Sequence, residues 1–315
     1  MLFLLVSFSL SWTEQMLAIS AQIAFNHIGV EYENKLISIF KAAGDEFTRC
    51  SQAAAWMNYV EKAPFNLKCF NHWHFLQEPY NTSSMFIPEH INDDDLITNI
   101  KNVYKSLSTQ QCKRSWPFAM SMKVLLASIA DIFSPLHVTE LFNQDFPNGD
   151  DNGRNFYVQY NGKQTTLFDI WETGCGLYPK DFVFNEANWK IIDEDVKKIL
   201  NLHPFPVNNT SFNENFIDNV KSKTRTFTIE EIYQKSFRNQ PLPQSQILTC
   251  QKETQQKMAE AGFAMAEALK NIILITPGEP TVLATTIRTS EVIAWSILCI
   301  LAPFASFLIW KVHFA

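Results

Sequence analysis

The chain predicts an all-α fold: one multi-helix domain, followed by a single C-terminal transmembrane helix. Three observations carry that expectation. Glycine is scarce, nine in 315 residues, and no stretch alternates apolar and polar residues as a half-buried strand does. Apolar residues recur instead at the three- and four-residue spacing of a helix face. With 46% hydrophobic and 13% aromatic residues, the body holds enough apolar side chain for one large core and does not read as a disordered stalk.

The elements follow in order. Residues 1–11 are a short apolar run in which Ser9 and Ser11 form a small-x-small site, the pattern of a signal peptide cut before Trp12. Eleven residues are too few to span a bilayer, which takes about 20. Glu14 to Ile28 places Leu17, Ala21, Ala24 and Ile28 on one face, with Thr13 as N-cap. Asp94 to Leu107, Trp116 to Phe133, Glu194 to Leu202 and Ile229 to Phe237 read as further helices, and the alanine-rich Gln251 to Leu274 reads most plainly of all. The domain is therefore expected over 12–275. A Pro- and Thr-bearing stalk over 276–291 follows. An uncharged 292–310, with Trp295 and Trp310 near its ends, is the expected membrane span. Lys311 on the tail, 311–315, suits the cytosolic side, giving a type I single-pass protein of the secretory pathway, at the cell surface or in a lysosome-like vesicle.

Secretion makes disulfides available. Cys50, Cys69, Cys112, Cys175 and Cys250 precede the span and Cys299 lies within it, so one or two bridges are expected, with the pairing open. Sequons at Asn81, Asn208 and Asn209 are candidate glycosylation sites. The formal charge is −6 and no lysine- or arginine-rich patch stands out, which excludes nucleic-acid binding by a basic surface. Phosphates bound here would need positive charge from metal ions.

Several segments carry residues able to do chemistry. Asp131-Ile-Phe-Ser-Pro-Leu-His137 sets an acid and an imidazole across a helix end, where they can converge. His72-Trp-His74 would share a face on a strand, though not on a helix. Asp150-Asp-Asn-Gly-Arg-Asn155 is a turn-rich loop, Asn161-Gly162 looks like a hairpin turn, and Thr166 to Glu172 opens a helix.

Taken in order, behind a tryptophan at the expected new N-terminus, these segments resemble the zinc-dependent single-strand nuclease family, the S-one/P-one type that shares its fold with bacterial phospholipase C. The resemblance runs from Trp12 to the last helix. The family motif His-Phe-x-Gly-Asp-x-His-Gln-Pro-Leu-His corresponds to Ala127 through Asp131 to Pro135-Leu136-His137. Gly-Gly-Asn corresponds to Gly153-Arg-Asn155, and Thr-Asn-Leu-His-x-x-Trp-Asp to Thr165-Thr166-Leu167-Phe168-Asp-Ile-Trp171-Glu172. Ala-Trp-Ala-Asp corresponds to Ala55-Trp56-Met57-Asn58, Trp-His-Tyr/Phe to Trp73-His74-Phe75, and Ala-Gly-x-x-Leu-Ala to Ala261-Gly262-Phe263-Ala264-Met265-Ala266.

The resemblance implies three zinc ions that activate a water and bridge the scissile phosphate. Carried over position by position, the first ion would meet Asn58 (for aspartate), His74, Ala127 (for histidine) and Asp131. The second would meet His137, Phe168 (for histidine) and Glu172 (for aspartate). The third would meet the Trp12 terminus, Leu17 (for histidine) and the shared Asp131, on which any cleavage would depend. Trp12, His74, Asp131 and His137 stand unchanged, Glu172 keeps a carboxylate, and Asn58 offers a neutral amide oxygen. Leu17, Ala127 and Phe168 have no donor atom. About two strong ligands per ion fall short of an ordinary zinc site, and neither His72 nor Asp169 is a replacement by spacing. The inventory implies a pseudo-nuclease. Two readings stay open beside it: a phosphodiesterase acting on single-stranded nucleic acid or 3′-nucleotides with fewer zinc ions, and a surface binding module using the former cleft.

Overall fold

The computed structural model describes residues 11–62, 65, 67–84, 86–87, 94–109, 115–206 and 211–274. The remainder of the signal segment, the stalk, the 292–310 span and its tail lie outside the described residues, as do Cys112, Cys299, Asn208 and Asn209. Among the described residues no helix is long and apolar enough to cross a membrane.

The expected helical domain is present. Helix α1 (Glu14–Ile28) begins where Thr13 accepts a hydrogen bond from the Met16 amide at 3.4 Å, and Glu14 adds a negative charge to the positive helix end. Every residue from Glu14 to Phe25 is buried, so α1 runs through the middle of the domain with neighbours all round. Its length is packed against α9 (Gln244–Lys270). The two approach so closely that a Cβ at Gly262 would lie 2.7 Å from Ile23 Cβ and 2.7 Å from the Ser20 carbonyl oxygen. Glycine there is a packing requirement. Helices α2 (Val30–Ala42), α4 (Leu96–Ser108), α5 (Ser115–Asp131) and α7 (Glu186–Leu202) join the main bundle, and α3 (Trp56–Glu61) packs against α5 in a smaller cluster of its own.

Beyond α5 the chain builds the parts that face the candidate site. A short parallel pair, β1 (Pro79–Asn81) and β2 (Glu140–Phe142), ties the segment after His74 to the segment after His137, which holds the two imidazoles side by side. Strands β3 (Tyr157–Tyr160) and β4 (Lys163–Thr166) form a hairpin over Asn161-Gly162, whose φ angles of 50° and 72° are those of a type I′ turn. Strand β4 runs straight into α6 (Leu167–Glu172), where Thr166 caps by accepting from the Asp169 amide at 3.0 Å. Helix α8 (Glu214–Phe227) continues into one π-helical turn, Thr228–Tyr233, where sequence periodicity predicted an ordinary helix over 229–237. The Thr228 hydroxyl, tied to the carbonyls of Thr224 and Pro135, anchors that turn against the loop carrying His137. Cys175 is bridged to Cys250, pinning the end of the α6 segment to α9, while Cys50 is a buried free thiol and Cys69 an exposed one. Asn81, the one sequon asparagine among the described residues, is exposed.

Candidate functional site

Asp131 is the last residue of α5 and is wholly enclosed. Its Oδ2 lies 2.7 Å from His74 Nδ1, and its Oδ1 accepts from the Ser11 hydroxyl at 2.7 Å with His137 Nδ1 3.4 Å away. His137 Nδ1 sits 2.8 Å from the His74 carbonyl oxygen, and its Nε2 is 3.2 Å from Glu172 Oε1. Glu172 also accepts from the Ser134 hydroxyl at 2.9 Å, and its backbone carbonyl accepts from the Thr13 amide at 3.4 Å. Asn58 donates its amide to the Trp12 carbonyl at 2.8 Å. Every candidate ligand with a donor atom thus meets at one buried place, drawn from six segments: the residues before α1, α3, the turn ending at His74, α5, the turn ending at His137, and α6. The convergence of Asp131 and His137 across a helix end is as their spacing predicted.

Glu61 is a member the motif reading missed. It lies one turn after Asn58 on α3, on the same face, and its Oε1 is 3.1 Å from His74 Nε2. The only sequence signal was that three-residue interval. His74 consequently bridges two carboxylates through its two ring nitrogens. Burial pulls its imidazolium down, but the Asp131 and Glu61 carboxylates outweigh that and raise it from 6.5 to about 10. Bridged on both ring nitrogens, the imidazolium is the form that the two acids favour.

The positions with no donor are filled by packing. Leu17 and Ala127 are completely buried and Phe168 is 1% exposed, each within an apolar cluster. The Phe168 ring lies nearly parallel to His137, 12° between planes at 5.9 Å, and the Phe75 ring, itself 6.1 Å from Phe168, lies 4.5 Å from His137. Arg154 reaches into this aromatic layer. Its guanidinium carbon is 4.0 Å from the centre of the Phe168 ring and 4.4 Å from that of Phe75, with its side chain 14% exposed.

A zinc ion takes about four ligands in a tetrahedron. The residues present do not fit three such ions: three ligand positions are apolar and buried, and Asn58 offers only a neutral amide oxygen. Among the described residues, no group of three or more His, Cys, Asp or Glu is arranged to hold an ion. Asn58 Oδ1, Glu61 Oε2, His137 Nε2 and Glu172 Oε2 are buried without hydrogen-bond partners, so unsatisfied polarity is spread along the network. His72 is exposed on a 3₁₀ turn (Lys68–His74), and Asp169 is ion-paired with Lys180.

No curated protein matches the chain. The family model described as S1/P1 Nuclease matches residues 12–274, the whole helical domain with every residue of this network except Ser11, and the chain belongs to the S1/P1 nuclease family.

Proposed function

We propose that this protein is a pseudo-nuclease: a member of a zinc-dependent nuclease family whose metal centre has become a metal-free ion network, with phosphodiester cleavage given up. One observation carries the reading. Leu17, Ala127 and Phe168, at the three positions where the resemblance calls for histidine, are buried and packed. Apolar side chains repel a hydrated cation and cannot be recruited by a small rotation. What Asp131, His74, His137, Glu61 and Glu172 do instead is hold one another and close the centre. The domain sits in the secretory pathway, freed at Trp12, glycosylated at Asn81, Asn208 and Asn209, and held by the 292–310 span as a type I protein. Its role is to present a folded surface and not to turn over substrate.

The test is metal analysis together with cleavage. Full-length protein matured through a secretory host, with Trp12 verified by N-terminal sequencing, is equilibrated with zinc and desalted. It should retain less than one zinc per chain and leave single-stranded DNA and 3′-nucleotides intact across pH. A content near three zinc ions, or cutting that disappears in Asp131→Ala, would defeat the proposal and restore the catalytic reading.

A further inference from the structure

We propose that Arg154 is a resident cation that takes the electrostatic place of the metal on the Glu172 side of the site. The assignment deepens the metal-free reading above and rests on it. The first support is a coincidence of position. Gly153-Arg-Asn155 carries a long cationic side chain where the resembling loop has glycine, and Phe168 has lost a donor; the two departures touch, guanidinium on ring at 4.0 Å. A phenylalanine disfavours a hydrated zinc ion, yet its face accepts a planar, weakly hydrated guanidinium.

The second support is the company the charge keeps. Phe75 and Phe168 flank Arg154, and the same two rings flank His137, which contacts Glu172. Burial weighs most and works against the charge, and it is opposed by Asp151, with Oδ1 at 3.5 Å, and by the fields of Glu172 and Asp169. A surface arginine held only by its loop would turn outward. This one is largely enclosed and leaves Nη2 buried without a hydrogen-bond partner, while Glu172 leaves Oε2 in the same condition. Bonded directly only to Asp151, the guanidinium reaches Glu172 and Asp169 through its field, as a bound ion's charge would. Opposing acids facing Arg154 are Asp151, Asp169 and Glu172, and Glu140 lies within reach of its field.

The test compares the full-length protein with Arg154→Met, Arg154→Lys, Phe168→His, and Phe168→His combined with Arg154→Met. Melting is followed by tryptophan fluorescence in chelator, and zinc affinity by titration with zinc alone. Arg154→Met should melt about 3–8 °C lower, with Arg154→Lys recovering at least half the loss. Phe168→His should bind zinc about tenfold more tightly once Arg154 is also removed. Arg154→Gln serves where the Met variant fails to fold. Equal melting of wild type and Arg154→Met, or equal zinc affinity of Phe168→His with and without Arg154, overturns the assignment alone. A wild type already holding about three zinc ions removes the metal-free reading and this assignment together.

Discussion

Replacing Asp131 by asparagine separates a structural centre from a catalytic one. The substitution keeps the shape and one acceptor oxygen but deletes the charge. In the mature protein that carboxylate serves His74 at 2.7 Å, with His137 Nδ1 3.4 Å away, inside a site with no exposure at all. Losing a charge-assisted hydrogen bond costs about 1.5–3 kcal/mol, and a buried donor left without a partner about 1–3 kcal/mol. Glu61 remains to hold the other face of the imidazole, which keeps the total near 3 kcal/mol, at the low end of the ~3–5 kcal/mol for breaking a buried ion pair. For a domain of this size that is a fall in melting temperature of about 6–12 °C. The assay is thermal unfolding with zinc removed by chelator. Were Asp131 chiefly a metal ligand, the variant would melt like the parent once both are stripped of metal. A difference under about 2 °C in chelator would refute the network as the source of stability.

Three further outcomes follow from other parts of the molecule. Stability should be greatest in mild acid. Burial raises Glu140 from 4.5 to about 7 and Asp150 from 3.8 to about 6, so the folded state keeps protons that the unfolded chain releases; their contribution is full at low pH and lost as pH climbs through 6 to 7. His74 acts in the same sense, its contribution full below 6.5 and lost as pH passes about 10. A melting curve against pH should therefore decline from about 4 to 7 through the two acids and go on declining from 6.5 to about 10 through His74, and Glu140→Gln should flatten the first part. Gly262→Ala should lower stability, because overpacking at 2.7 Å contacts costs about 1–3 kcal/mol against roughly 1 kcal/mol of helix propensity regained; a higher melting temperature would contradict the close approach of α1 and α9. Replacing both Cys175 and Cys250 with serine should cost about 2–4 kcal/mol, since the bridge closes a 75-residue separation, and mapping under non-reducing conditions should recover that pair joined.

Local chemistry was readable in the sequence where it was self-contained. Thr13 before an apolar repeat gave both ends of α1, and Asn161-Gly162 gave the hairpin, because a cap and a type I′ turn need only their own neighbours. Helix α7 begins eight residues before its predicted start: Asn185 caps it by accepting from the Asn188 amide, but its first turn is too polar to extend the apolar repeat backwards. Helix α2 was overlooked because it buries only Leu36, Ile39 and Phe40 amid charged residues. The turn over Thr228–Tyr233 departs from the expected periodicity for a tertiary reason, the bond from Thr228 to Pro135. At the site, motif order located Asp131, His74, His137 and Glu172. Glu61 showed only its three-residue interval from Asn58 and Arg154 only its place in the Gly153-Arg-Asn155 loop, because what recruits them is proximity to His74 and Phe168 across the fold.

Most domains loosen first at their extremities. Here the segment from Trp12 to Phe25 is enclosed throughout, and its first two residues are bonded to Asn58 and Glu172. The amides at the head of α1 should thus be among the slowest to exchange with deuterium, opening only when the whole domain unfolds. An affinity tag abutting Trp12 would have to be threaded through the interior, and so would compete with folding itself.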